Sequence, residues 1–112
     1  MSSESESHDL HILESNLQQL AMQKQSLELE MNEITNALRE VTKSKGDVYR
    51  VLANVMVKSD KQSMQKELEE KKKLIEMHIS SVEKQESLVE AKANELHKRR
   101  AEHSLKKEKS TN

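Results

Sequence analysis

The sequence predicts a mainly α fold, an antiparallel two-helix coiled-coil hairpin with a β-hairpin between the helices. Three observations carry this expectation. Apolar residues recur at heptad spacing through two long stretches, a short β-branched segment separates them, and the composition cannot fill an ordinary globular core. Of the 112 residues 33% are hydrophobic and 35% charged, with no Phe, Trp or Pro, one Gly, and Tyr49 as the single aromatic. A compact domain of this size needs bulky apolar side chains converging from several directions. Low hydrophobicity by itself would favour disorder, but 19 basic residues nearly cancel 20 acidic ones and the apolar positions are periodic. Long helices sharing a narrow seam satisfy both facts.

Residues 1–9, rich in Ser and acids, read as a flexible N-terminal tail. From there the apolar positions are Leu10, Leu13, Leu17, Leu20, Leu27, Met31, Ile34, Leu38 and Val41, and this spacing, broken only by Lys24, defines a first helix over 10–43. Lys24 either sets the register or lays its stem over the seam. Counting back from the hairpin places it opposite Val82, with Glu83 and Glu86 within reach. Gly46 and Asp47 are the expected stop of this helix.

The segment 44–59 has another character. Val48-Tyr49-Arg50-Val51-Leu52 and Val55-Met56-Val57-Lys58 flank the turn candidate Ala53-Asn54, a pattern that reads as a β-hairpin. Val48, Arg50 and Leu52 fall on one face, Tyr49 and Val51 on the other. Two strands alone are marginal in water, and their edges invite pairing with another chain. The apolar residues Val48, Tyr49, Val51 and Leu52, with Val55, Met56 and Val57, are therefore candidates for an assembly interface. Local core is the rival reading, but two long helices leave little nearby to cover them.

A second helix is expected over 60–105, opened by a capping box from Ser59 to Gln62. Its strict repeat is Leu68, Ile75, Val82, Val89 and Leu96. The complementary positions three residues on are Lys71, His78, Gln85, Lys92 and Arg99, so this seam is thin and is widened on its flanks by Leu74, Ile79 and Ala93. Met31, Met64 and Met77 sit at or near seam spacing, which suits core filling. At ~1.5 Å rise per residue the second helix is roughly 70 Å long against roughly 50 Å for the first, and one should overhang. Where cover is lost, Leu10, Ile12, Leu13 and Leu17 at the start, with Leu96, Ala101 and Leu105 near the finish, become candidates for gripping a partner; simple fraying is the alternative. Residues 106–112 read as a flexible basic tail.

Several classes of function are disfavoured. The absence of cysteine excludes disulfides and thiolate metal sites and fits a reducing compartment, with cytoplasm the default. No apolar run is long enough to span a bilayer, and the start is acidic where a signal peptide would be basic and then apolar. His8, His11, His97 and His103 lack zincin spacing, so no metal is expected. With no nucleophile–base constellation and Gly46 as the sole glycine, neither an enzyme nor a bound cofactor is expected. The basic cluster from Lys98 to Lys109 follows the seam, whereas a basic leucine-zipper region precedes one, so nucleic acid is not an expected partner. It suits the negative end of a helix dipole instead.

The chain resembles the beta-type subunits of prefoldin over about residues 17–96, most specifically in Asp47-Val48-Tyr49-Arg50-Val51-Leu52-Ala53-Asn54-Val55-Met56-Val57-Lys58. Supporting stretches are Gln23-Lys24-Gln25-Ser26-Leu27-Glu28-Leu29 and Glu69-Glu70-Lys71-Lys72-Lys73-Leu74-Ile75-Glu76. Ala53 departs from the family, which commonly has Gly before the turn Asn. Alpha-type subunits carry two successive hairpins, and there is room here for one. The resemblance implies a hexamer with alpha-type and other beta-type subunits, in which hairpins build a β-barrel body and coiled coils hang as tentacles. It further implies an ATP-independent holdase that binds non-native polypeptides and delivers them to a group II chaperonin, with no membrane partner. A structural coiled-coil subunit of a tethering or scaffolding complex is the alternative, and would leave the β-hairpin unexplained.

Overall fold

A computed structural model describes residues 3–111 of the chain, with side chains described for residues 4–105. Helix α1 spans Ser3–Lys43, strands β1 and β2 span Val48–Leu52 and Val55–Ser59, and helix α2 spans Lys61–Thr111. The expected order of elements is present, and the two strands pair antiparallel.

The helix boundaries differ from expectation at both ends of the chain. The α1 backbone is helical from Ser3, where a tail over 1–9 was expected, and α2 runs to Thr111, past the expected end at Leu105. Neither flank contains a Gly or Pro to stop a helix, and Glu4 and Glu6 lie in the first turn, where acids complement the positive end of the dipole. Met1, Ser2 and Asn112, and the side chains of the basic residues Lys106, Lys107 and Lys109, lie outside the described residues.

Side chains from both helices settle the joint with the hairpin. At the α1 terminus the Ser44 amide donates to Glu40 O at 3.0 Å and Val41 O at 3.3 Å, so the last turn tightens and closes. No described glycine has positive φ, so Gly46 is not a left-handed cap; it ends the helix only as a weak helix former. The orphan Ser44 carbonyl accepts instead from Lys61 Nζ at 2.8 Å, a cation from the start of α2 placed at the negative end of α1. The expected capping box is also replaced. Ser59 is the last residue of β2, paired with Val48, and Asp60 caps α2: its Oδ2 accepts from the Ser63 amide at 3.1 Å and from Ser63 Oγ at 3.0 Å. A carboxylate here satisfies an orphan donor and adds charge at the positive helix end.

Ala53 (φ 48°) and Asn54 (φ 67°) both adopt the left-handed region. Positive φ at both central residues of a two-residue loop is the type I′ arrangement, whose twist suits the flanking strands. Asn tolerates it; Ala does so at about 1–2 kcal/mol. Ala53→Gly removes that strain and returns part of the gain as extra freedom of the unfolded chain. The expected net effect is stabilisation by up to about 1 kcal/mol, read as a higher urea midpoint. A lower midpoint would show that the turn carries no such strain.

The chain forms two compact units, one of residues 25–80 and one joining residues up to 24 with those from 81 onward. In the first, the Gln65 amide donates to Thr42 Oγ1 at 3.2 Å beside the Lys61–Ser44 bond, which brings the two helices antiparallel next to the hairpin. Ile34 and Ile75 are its most covered helical residues, with Leu27, Met31, Leu38 and Leu68 half-buried around them. In the second unit Leu10, Val82 and Ala93 are buried, with Leu13, Leu17, Leu20, Val89 and Leu96 half-buried.

The α1 seam is the expected one, but the α2 seam is framed differently. Its second positions are Lys72, Ile79, Glu86 and Ala93, four residues after each strict position, all at least partly covered. Lys71, His78, Gln85, Lys92 and Arg99, the expected complement, are exposed. Ile79 and Ala93 thus belong to the seam itself. Leu74 and Met77, expected to widen or fill it, are 60% and 67% exposed.

Candidate assembly hairpin and helix ends

The hairpin register assigns each side chain to a face. Directly opposed residues of an antiparallel pair share a face, so Val48, Arg50 and Leu52 stand with Val57 and Val55, while Tyr49 and Val51 stand with Lys58 and Met56. The first face is tethered to α2, because Arg50 Nη2 donates to Glu67 Oε2 and Val48 is buried. Lys58 Nζ lies 3.5 Å from Asp47 Oδ1 and ties the second strand back to the linker before the first.

Of the seven hairpin residues singled out from sequence, Val48 alone is covered. Tyr49, Leu52, Val55 and Val57 are exposed, and Val51 and Met56 reach 65% and 67%. Apolar side chains thus stand free on both faces of a sheet that, among the described residues, has only two strands, so each strand also has one unpaired edge. Bare edges and bare apolar faces on one small element are what a chain built to pair with other strands presents.

The seven helix-end candidates divide into two groups. Leu10 is 5% exposed, and Leu13, Leu17 and Leu96 are half-buried in the seam. Ile12, Ala101 and Leu105 are exposed. Glu14 and His97 face each other across the helices, Oε1 to Nε2 at 3.7 Å, and Leu10, a turn further out on α1, is still buried, so the cover extends past Leu13. The exposed three offer side-chain surface for contact without separating the helices.

Lys24 is the one charged α1 seam position, and its environment explains it. Nζ lies 3.6 Å from Glu86 Oε1 and 3.9 Å from Glu83 Oε2, as the count from the hairpin anticipates. Since Glu86 is an α2 seam position with a side chain only 19% exposed, the two charges face each other within the seam. Removing Lys24 alone leaves a largely covered carboxylate unpaired. Lys24→Leu should therefore destabilise by about 1 kcal/mol, against the simpler expectation that a leucine completes the seam. Lys24→Leu with Glu86→Leu should raise the melting temperature above wild type, followed by far-UV circular dichroism. A single variant more stable than wild type would show that the pair does not matter.

Among the described residues, no group of three or more His, Asp or Glu side chains is arranged to hold a metal ion, and no helix is long and apolar enough to cross a membrane.

The family described as prefoldin subunit matches residues 7–107. A prefoldin subunit beta of Saccharolobus islandicus is 35% identical over 86 residues, covering 75% of this chain and 68% of the relative. One from Methanothrix thermoacetophila is 34% identical over 89 residues, covering 78% and 74%. Among solved structures, the prefoldin beta subunit from Thermococcus strain KS-1 superposes with a TM-score of 0.81 at 28% identity, covering 86% of each chain.

Proposed function

The chain belongs to the prefoldin family as a beta-type subunit of this co-chaperone, and from that premise we propose that it assembles with alpha-type and other beta-type subunits through its hairpin and holds non-native polypeptides at its helix ends. The observation that carries the reading is the hairpin itself, which among the described residues has two unpaired edges and leaves six of its seven apolar residues exposed. Exposed apolar surface beside unpaired strand edges marks a site of contact with other chains. The assembly works in the cytoplasm without hydrolysing ATP and passes its cargo to a group II chaperonin. A sequence whose sole glycine is Gly46 offers no phosphate-cradling loop, which supports a passive holdase.

The grip is assigned to Ile12, Ala101 and Leu105, the apolar end residues free of the seam. Replacing all three with Ser in every copy should leave the mass of the assembly unchanged. Because several weak contacts hold one client together, suppression of aggregation of a denatured protein should fall severalfold, more than any single contact would suggest. Undiminished protection at wild-type mass would move the grip elsewhere.

A further inference from the structure

Within the unit of residues 25–80 the altered α2 frame opens a lateral groove beside the seam. Its floor is formed by the edges of Leu27, Ile34, Leu68 and Ile75, and Leu74 stands in it 60% exposed. The α1 rim carries Glu30 and Glu33, the α2 rim Lys71 and His78. The two rims differ electrostatically. Lys71 Nζ lies 4.0 Å from Glu67, whose carboxylate already accepts from Arg50, so the α2 rim keeps one ammonium; Glu30 and Glu33 have no ion-pair partner among the described residues, and two carboxylates outweigh it. Spaced three apart on one helix, these carboxylates line the same edge of an apolar floor.

We propose that this groove is a docking surface for a cationic amphipathic segment of a non-native polypeptide, with apolar side chains seated against Leu74 and lysines or arginines over Glu30 and Glu33. This rests on the holdase reading and adds to it a site away from the helix ends, together with a preference for basic over acidic segments. The charge of the rim decides the occupant. A cation beside an apolar floor is attracted more strongly than in open water, whereas an acidic segment faces two carboxylates against the single Lys71 ammonium and is disfavoured. The unit of residues up to 24 and from 81 onward supplies the contrast: a groove there has Leu20, Leu88 and Val89 as its apolar part but amides, Asn16, Gln19, Gln23 and Gln85, and the cation Lys92 along its rims, with no carboxylate.

The test uses the full-length chain assembled with an alpha-type subunit, and two fluorescent amphipathic peptides, one of leucine and lysine and one of leucine and glutamate. Fluorescence anisotropy should show the lysine peptide binding at least roughly tenfold more tightly than the glutamate peptide. Leu74→Ser should weaken the lysine peptide by roughly tenfold, as loss of a buried leucine contact requires. Glu30→Lys with Glu33→Lys should do the same and reverse the preference between the peptides. All three positions are exposed, so helix content serves as the folding control. Wild-type affinity in either variant overturns the proposal, as does a change in assembly mass for Leu74→Ser, which would mean that a second subunit occupies the groove. The Ile12, Ala101 and Leu105 variant separates the two readings. Peptide affinity lost in that variant alone sinks the groove and leaves the helix-end grip standing; full protection by that variant with peptide binding sensitive to Leu74 sinks only the helix-end grip.

Discussion

Val51→Asp combined with Val55→Asp is expected to abolish incorporation into a prefoldin assembly while leaving helix content essentially unchanged. Val51 lies on the face with Tyr49 and Met56, Val55 on the face with Val48 and Arg50, so the pair places a carboxylate on each side of the sheet. Both valines are exposed in the single chain, at 65% and 59%, and neither belongs to the seam, so the isolated chain loses little. An interface that covers them must bury two unpaired charges, each at a cost of several kcal/mol after relaxation. Affinity then falls by orders of magnitude, since about 1.4 kcal/mol is tenfold. Sedimentation velocity of a mixture with an alpha-type subunit reads the outcome. A wild-type particle formed by the double variant would remove the hairpin from its assembly role.

The second large effect lies in the seam, where Ile75→Ala should destabilise the chain by about 2–4 kcal/mol. Ile75 is 6% exposed, and neighbouring backbones held by two long helices cannot fully collapse into the space left behind. The same experiment checks the frame of α2. Ile79 is partly covered four residues after Ile75, whereas His78 is exposed three residues after it. Ile79→Ala should therefore cost clearly more than His78→Ala, which should stay within about 0.5 kcal/mol of wild type. Equal costs in thermal unfolding would mean that the two positions share the seam. A lower cost for Ile79 than for His78 would restore the three-residue spacing.

Much of the architecture was legible because it depends on local and periodic signals. Leu10 through Val41 keep one apolar stripe on one helical face, and any partner helix must cover that stripe. The β-branched run from Val48 to Val57, interrupted by Ala53-Asn54, suits an extended, half-covered strand pair better than a helix. The low apolar content rules out a thick core and leaves the seam as the main site of burial. The exposed hairpin followed from the same reasoning: two strands beside two helices have too few neighbours to be covered. The helix ends were less legible, because Leu10, Leu13, Leu17 and Leu96 combine a seam spacing with a terminal position, and sequence does not say where the pairing stops.

Tertiary structure decided the points at which neighbouring residues offered equivalent local chemistry. Lys71 and Lys72, like Gln85 and Glu86, are polar at both spacings, so the sequence signal for four residues was confined to Ile79 against His78 and Ala93 against Lys92; the cover of Ile79 and Ala93, with Glu86 meeting Lys24, made the choice. Ser59 and Asp60 are both good helix caps, and pairing of Ser59 with Val48 in the sheet left Asp60 to the helix. Ala53 resists positive φ by itself and adopts it because a two-residue connection between right-twisted strands demands it. The lateral groove exists for the same reason as the four-residue frame: rotating Lys71 and His78 out of the seam also turned Leu74 away from cover, and which flank of a helix is left bare depends on the partner helix packed against it.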